Sequence, residues 1–210
     1  DYARPHSECR GWKHAADGTG VGLAEVVRQV RPTMLIGAST VAGGFTEEIV
    51  REMAAHVERP IIFALSIPAA RAEASPSDLI VWTHGRALIA TGSPFAAITY
   101  QGMTHVIAQV TNALLYPGLV LGAIVSQART ISDGMLASAA NAVSSLVSVR
   151  QPGASLLPQV DDLRSVSMTV AVAVADAADA EGLAQVRLDD IVQQVQDAMW
   201  QPEYCRIRAS

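Results

Sequence analysis

The chain has 210 residues, of which 50% are apolar and 5% aromatic, and its formal net charge is −5. This length is sufficient to bury a sizeable core, and an apolar composition with few aromatic residues is more typical of an α/β or helical protein than of a β-sandwich. A net negative charge gives no sign of the basic face that binds a phosphate backbone, so we expect no nucleic-acid partner.

The two cysteines, Cys9 and Cys205, stand near opposite ends of the sequence. Their separation matches neither a disulfide framework nor a zinc site, so we expect a reducing compartment and a cytoplasmic location. Residues 1–20 are polar and mixed, which predicts an irregular N-terminal segment. The sequence begins without an initiating methionine or a signal-peptide pattern, and we expect it to belong to a longer chain.

The first regular elements are a helix and a strand. Apolar residues at helical spacing predict a helix over Leu23–Val30, which Pro32 ends. The apolar run at residues 33–36 is closed by Gly37, a pattern typical of a strand buried on both faces.

Two further helix–strand units follow. Thr46 is the predicted N-cap of a helix with acidic residues in its first turn, where the helix dipole favours them. Ser75 is the predicted N-cap of the next helix, which has a proline at its first position and an aspartate that reaches back to the cap. Buried strands are predicted at residues 61–65 and 87–90.

The alternation of helix and strand predicts crossover units and a parallel sheet. From Asn112 the pattern changes to helices, which are predicted at residues 112–129, 132–148, 160–180 and 188–200. We therefore expect an α/β fold: a partial Rossmann-like parallel sheet with flanking helices in residues 21–111, followed by a C-terminal helical region in residues 112–210.

One apolar run needs separate consideration. Residues 106–128 are long enough to cross a bilayer. However, Pro117, Gly118 and several amide side chains interrupt the run, and basic flanks and aromatic belts are lacking. We predict a helix buried in a globular protein here, and no membrane partner.

In open parallel sheets, ligands bind outside the carboxyl ends of the strands. The predicted ends are small-residue turns at residues 37–40, 66–68 and 91–94, which would let a flat ligand approach the backbone. Any α/β protein carries glycine and serine at such turns for steric reasons alone. The spacing by itself therefore leaves a ligand site and purely structural turns equally open.

Characteristic segments occur in collinear order along almost the whole chain. They are RPTMLIGAS at 31–39, FTEEIV at 45–50, RPIIFALS at 59–66, GRAL at 85–88, TGSPF at 91–95, Asn112 with YPG at 116–118, ARTISD at 128–133 and MWQPEY at 199–204. Together they resemble the later half of the NAD(P)-binding domain of the malic enzyme family and its C-terminal helices. The resemblance implies two groups of site residues: Gly37, Ala38, Ser39, Ser66 and Ile67 for the cofactor, and Thr111 and Asn112 for the substrate.

The activity implied by this resemblance is oxidative decarboxylation of malate to pyruvate and CO2, with NAD or NADP and Mg2+ or Mn2+. In the family, a lysine and a tyrosine transfer protons, three carboxylates hold the metal and a glycine fingerprint holds the pyrophosphate, all upstream of the part that this chain resembles. The single lysine, Lys13, is not in the family's catalytic context. We therefore expect no catalytic residue and no metal ligand in this chain, and a homo-oligomer for a full-length protein.

Two segments depart from the family pattern at three positions. Leu-Ser-Asn-Pro is usual where this chain has Ile67 in place of asparagine, and Gln-Gly-Asn-Asn is usual where it has Val110 and Thr111. Ile67 cannot donate a hydrogen bond to a substrate carboxylate, and each buried partner left unpaired typically costs about 1–3 kcal/mol.

Three interpretations remain open at this point. The chain is part of an oxidoreductase that needs the upstream half for catalysis, or it is a non-catalytic paralogue that binds a nucleotide or a partner subunit, or it is a partial gene model. A sheet without its first strands would also expose an edge and an apolar face.

Overall fold

A computed structural model of the protein describes residues 5–14 and 20–201. Cys205 and residues 1–4 and 15–19 of the predicted irregular segment lie outside the described residues, as do the last residues of the MWQPEY segment. The chain divides into two compact units. The first comprises residues 1–110 and 148–156, and the second comprises residues 111–147 and 157–210.

The described residues of the first unit form three α-helices and six strands. The helices are α1 (Leu23–Val30), α2 (Glu47–His56) and α3 (Pro76–Trp82). The strands are β1 (Met34–Gly37), β2 (Ile61–Ala64), β3 (Leu88–Thr91), β4 (Ile98–Tyr100), β5 (Met103–His105) and β6 (Ala108–Gln109).

The main sheet has the strand order β1-β2-β3-β6, with every neighbouring pair parallel. Each crossover along this sheet moves one strand further in the same direction, so right-handed crossovers place α2 and α3 on one face. Leu35, Ile62 and Ile89 lie on that face and share a core with Val50 and Met53 of α2. This arrangement confirms the predicted α/β class with a partial Rossmann-like parallel sheet.

The predicted helix starts are confirmed. The side chain of Thr46 accepts a hydrogen bond from the Ile49 backbone N–H, and that of Ser75 accepts one from the Asp78 N–H. The Ser75 hydroxyl also donates to the Asp78 carboxylate at 2.7 Å, so the aspartate does reach back to the cap. These two caps place α2 and α3 directly after the loops that follow β1 and β2.

The prediction that the first strand is buried on both faces is wrong. Residues of β1 alternate between exposed and buried, with Met34 44% and Ile36 57% exposed. In the described part of the chain β1 lies at the edge of the sheet, and Leu35 faces the core shared with α2, whereas Met34 and Ile36 point to the opposite face. An exposed edge with apolar side chains is what the sequence led us to expect of this sheet.

The predicted helix across residues 106–128 is also wrong in its first part. Ala108 and Gln109 form β6 beside β3, and a single 3-10 turn, Asn112–Leu114, precedes the next helix. A short apolar run fits a strand and a buried helix equally well, and only the pairing with β3 decides between them.

The antiparallel hairpin of β4 and β5 was not predicted. Its strands are joined by Gln101 and Gly102, which have φ angles of 49° and 80°. Positive φ at both central residues is the requirement of a type I′ turn, which asparagine or aspartate before glycine normally signals. Gln101 does not give that signal.

The second unit is helical. Its described helices are α4 (Tyr116–Val125), α5 (Asp133–Ser145), α6 (Leu163–Ala180) and α7 (Ile191–Ala198). Gly118 and Gly122 allow close packing of α4 on α6, because a Cβ at these positions would lie 2.6 Å from the Ser167 carbonyl oxygen and 2.5 Å from that of Ala171. Among the described residues, no helix is both long and apolar enough to cross a membrane.

Candidate functional site

The parallel register brings the predicted cofactor residues to one edge of the sheet. Gly37 pairs with Ala64, Ala64 with Thr91, and Thr91 with Gln109, so the strands end level with one another. The loops that follow β1 and β2 therefore leave the sheet side by side. We call residues 37–41 the first loop and residues 65–68 the second loop.

The first loop leaves the sheet at a position that requires glycine. A Cβ on Gly37 would lie 2.6 Å from the Phe45 ring and 2.7 Å from the Glu73 side chain. After this close approach, Ala38, Ser39 and Thr40 are exposed. Thr40 has a φ of 59°, in the left-handed region, and turns the chain toward α2. The first loop thus presents small side chains and its backbone to solvent.

The second loop has a buried and an exposed part. Ser66 is 4% exposed, whereas Ile67 is 64% exposed and is followed by a cis peptide bond to Pro68. A Cβ on Gly92 would collide with the carbonyl oxygen of Leu65, so the chain after β3 also runs close against this loop. Of the two cofactor residues predicted here, only Ile67 reaches the surface with its side chain.

A buried carboxylate, which the sequence did not lead us to expect, joins the two loops. Glu73 is 1% exposed. Its Oε1 accepts hydrogen bonds from the Ser39 N–H at 2.8 Å, the Ser39 hydroxyl at 2.9 Å and the Ser66 hydroxyl at 2.5 Å. Its Oε2 accepts a longer one from the Ser66 N–H at 3.4 Å. Glu73 therefore joins the two loops, in addition to direct hydrogen bonds from the Leu65 N–H to the Gly37 carbonyl oxygen at 2.9 Å and from the Thr40 N–H to the Ser66 hydroxyl oxygen at 2.8 Å.

The backbone around Glu73 supports the same contact. The Phe45 N–H donates to the Glu73 carbonyl oxygen at 2.9 Å, and the Gly43 N–H donates to that of Ala72 at 3.3 Å. The segment that carries Glu73 is thereby fixed against the residues that precede α2.

The electrostatics of Glu73 follow from these contacts. Burial raises the pKa of its carboxyl, but hydrogen bonds from Ser66 and Ser39 oppose burial and lower the pKa from 4.5 to about 2. Glu73 is thus a fixed negative charge at neutral pH. No ion pair with Glu73 is present among the described residues, so its charge is stabilised by hydrogen bonds alone.

The predicted substrate residues lie in the second unit. The Thr111 side chain accepts a hydrogen bond from the Ala113 N–H at 3.3 Å and caps the 3-10 turn Asn112–Leu114. Asn112 is exposed. The contribution of Thr111 and Asn112 to a substrate site stays a prediction, as does the role of the five cofactor residues.

The described side chains offer no donor set for a metal ion. In the part of the chain that the structure describes, no three His, Cys, Asp or Glu side chains lie together in a way that could hold a metal ion. Glu73, the one buried carboxylate at the strand ends, is already saturated by serine donors. These residues therefore do not fit a divalent cation.

Comparison with known proteins gives a consistent result. Residues 1–179 match the family model described as malic enzyme, NAD binding domain. The chain is 55% identical over 208 residues to NAD-dependent malic enzyme 3 of Bacillus subtilis, covering 99% of this chain and 37% of that protein. It is 45% identical to a putative malate oxidoreductase [NAD] of Mycobacterium tuberculosis, covering 97% of this chain and 37% of that protein.

Solved structures show the same relationship. The crystal structure of Entamoeba histolytica malic enzyme superposes with a TM-score of 0.66 at 27% identity, covering 87% of this chain and 33% of that one. The chain thus spans little more than a third of the length of the relatives that it matches. The match to the NAD-binding domain model covers most of the sequence and confirms the resemblance seen in the collinear segments, and the chain therefore belongs to the malic enzyme family.

Proposed function

We propose that this chain provides the nicotinamide-side half of an NAD site in a malic enzyme, and that oxidative decarboxylation of malate requires residues outside it. The observation that carries the proposal is the pair of loops at the carboxyl ends of β1 and β2, joined by Glu73. Ligands of open α/β sheets bind at this edge.

The strand order supports the assignment of this chain to the nicotinamide half of the site. In a complete Rossmann fold the two mononucleotide halves extend in opposite directions from a central switch point, and the glycine fingerprint for the pyrophosphate lies in the first half. Here β1, β2 and β3 follow one another in a single direction. This is the order of one half, and neither loop carries that fingerprint.

The charge at the site supports the same assignment. Glu73 is ionised and buried beneath the two loops, so a phosphate placed there would meet a like charge across a medium of low dielectric. A ribose and a nicotinamide ring carry no negative charge and suit the exposed Ala38, Ser39 and Ile67. NAD is proposed over NADP because the matching domain model and the relatives above are described by NAD.

The proposal is tested by two measurements on the 210-residue chain. Binding of NADH, followed by the change in its fluorescence, is expected to saturate. Turnover of malate with NAD and Mn2+ is expected to be undetectable for the chain alone. Failure to bind NADH, or malate turnover by the isolated chain, would overturn the proposal.

A second candidate function is a nucleotide-binding module that does not take part in catalysis. The observation that favours it is Ile67, which is 64% exposed at the carboxyl ends of the strands and whose side chain has no hydrogen-bonding group. The two candidates differ in what happens when the chain is combined with the upstream part of a malic enzyme. An oxidoreductase half would restore malate turnover, whereas a non-catalytic module would bind NADH without restoring it.

A further inference from the structure

The Glu73 carboxylate accepts four hydrogen bonds, and all four come from two serines that are distant from each other in sequence. It lies 34 residues from Ser39 in sequence and seven from Ser66, and it receives hydrogen bonds from both. Each serine donates through its backbone N–H and through its hydroxyl. One carboxylate therefore accepts hydrogen bonds from both loops, which also contact each other through the Leu65 N–H and the Gly37 carbonyl oxygen.

The serine hydroxyls extend this connection. Each hydroxyl has a single proton, and both protons are donated to Glu73, which leaves the oxygens as acceptors. The Ser66 oxygen accepts the Thr40 N–H at 2.8 Å, and the Ser39 oxygen accepts the Val41 N–H at 3.2 Å. Glu73 thus orients the two hydroxyls, and these in turn fix the backbone of the first loop.

We propose that Glu73 is a positioning residue of the cofactor site, and that its carboxylate holds the first and second loops in the arrangement that receives the nicotinamide nucleotide. The inference rests on the function proposed above. Glu73 is too deeply buried to contact the nucleotide and acts through Ser39, Thr40 and Ser66. Residues 38–41 of the first loop and Ile67 of the second are exposed, and precise placement of such connections requires supporting contacts of this kind.

Substitutions at Glu73 separate hydrogen bonding from charge. Glu73→Gln keeps an oxygen at the Oε1 position, where three of the four hydrogen bonds arrive, and removes the charge. Glu73→Asp keeps the charge, but its side chain is one methylene shorter and cannot reach both loops. Glu73→Ala removes every contact and leaves the serine donors without their acceptor.

The experiment measures the dissociation constant of NADH for the 210-residue chain by fluorescence. Glu73→Gln is expected to stay within about threefold of the wild type, while Glu73→Asp and Glu73→Ala weaken binding by about tenfold or more, as expected for the loss of one or more hydrogen bonds at a buried group. Val50→Ala is the control, because Val50 is fully buried in the core of the first unit and its side chain has no group that could hydrogen-bond to Glu73. It should lower the unfolding temperature and leave the NADH dissociation constant unchanged.

The outcomes distinguish the inference from the proposed function. Wild-type affinity in Glu73→Asp and Glu73→Ala would overturn the positioning role, and so would a loss in Glu73→Gln as large as that in Glu73→Ala. If the wild-type chain binds no NADH, the proposed function fails instead. Amide hydrogen exchange at Ser39 and Thr40 then tests the loops directly. Exchange at least about tenfold faster in Glu73→Ala than in Glu73→Gln supports the positioning of the loops, and equal rates overturn it.

Discussion

The titration of Glu73 links the candidate site to the stability of the first unit. Replacing Glu73 by glutamine removes a group that titrates and keeps most of the hydrogen bonds that reach it. Because the folded-state pKa, about 2, is below the ordinary value of 4.5, the unfolded chain takes up the proton first as the pH falls. The stability contributed by the ionised group is present above pH 4.5 and is lost as the pH falls toward 2.

The magnitude follows from the size of this shift. Each pKa unit corresponds to about 1.4 kcal/mol, so the complete shift from 4.5 to about 2 corresponds to about 3 kcal/mol. At pH 3 the unfolded carboxyl is mostly protonated and the folded one is mostly ionised. Between pH 7 and pH 3 the wild type should therefore lose about 2 kcal/mol that Glu73→Gln does not lose.

Urea unfolding at pH 7 and pH 3, followed by circular dichroism, measures this difference. Carboxylates other than Glu73 titrate in both proteins and cancel in the comparison. Glu58→Gln is the matched control, because Glu58 is exposed between α2 and β2, and its loss of stability between pH 7 and pH 3 should follow that of the wild type. If the stability gap between wild type and Glu73→Gln is the same at both pH values, the argument for an ionised, hydrogen-bonded Glu73 is refuted.

Three further predictions concern packing, a buried histidine and the departures from the family pattern. Gly118→Ala and Gly122→Ala should each destabilise the chain by about 1–3 kcal/mol in urea unfolding, because each new Cβ meets a backbone oxygen of α6; an unchanged free energy of unfolding would contradict the packing argument. Burial lowers the pKa of His105 below its ordinary value of 6.5, so the unfolded chain takes up the proton first and the stability contributed by the neutral imidazole is lost as the pH falls below 6.5. His105→Gln should remove this part of the pH dependence of the free energy of unfolding. An unchanged dependence of that free energy on pH would contradict the prediction. Ile67→Asn combined with Thr111→Asn should raise malate turnover at least about tenfold when the chain is fused to the upstream part of the Bacillus subtilis relative, and unchanged NADH production would favour the non-catalytic module.

Local signals in the sequence predicted much of the fold. The spacing of apolar residues placed α1 at Leu23–Val30, and hydroxyl residues at Thr46 and Ser75 marked the starts of α2 and α3. These features depend on neighbours within one helical turn, so the sequence contains the whole interaction. The parallel sheet followed from the alternation of these elements.

Features that depend on distant partners were missed. β6 has only two residues and exists because Ala108 and Gln109 pair with β3, which no local periodicity records. Glu73 lies between two alanines, and nothing near it in sequence indicates that serines from two loops converge on it. A single carboxylate in an apolar stretch immediately before a helix cap was the one available signal. A carboxylate is stable in a buried position only when several hydrogen-bond donors surround it, so a buried glutamate indicates that donors from other segments meet there.

The location of the bound nucleotide tests the central claim most directly. Amide proton–nitrogen correlation spectra of the 210-residue chain, recorded during titration with NADH, would locate the contact residue by residue. We predict saturable shifts at Ala38, Ser39, Thr40 and Ile67, at the carboxyl ends of β1 and β2. Saturable shifts confined to residues away from these two loops, or no shifts at all, would contradict the assignment of this edge as the nicotinamide side of the NAD site.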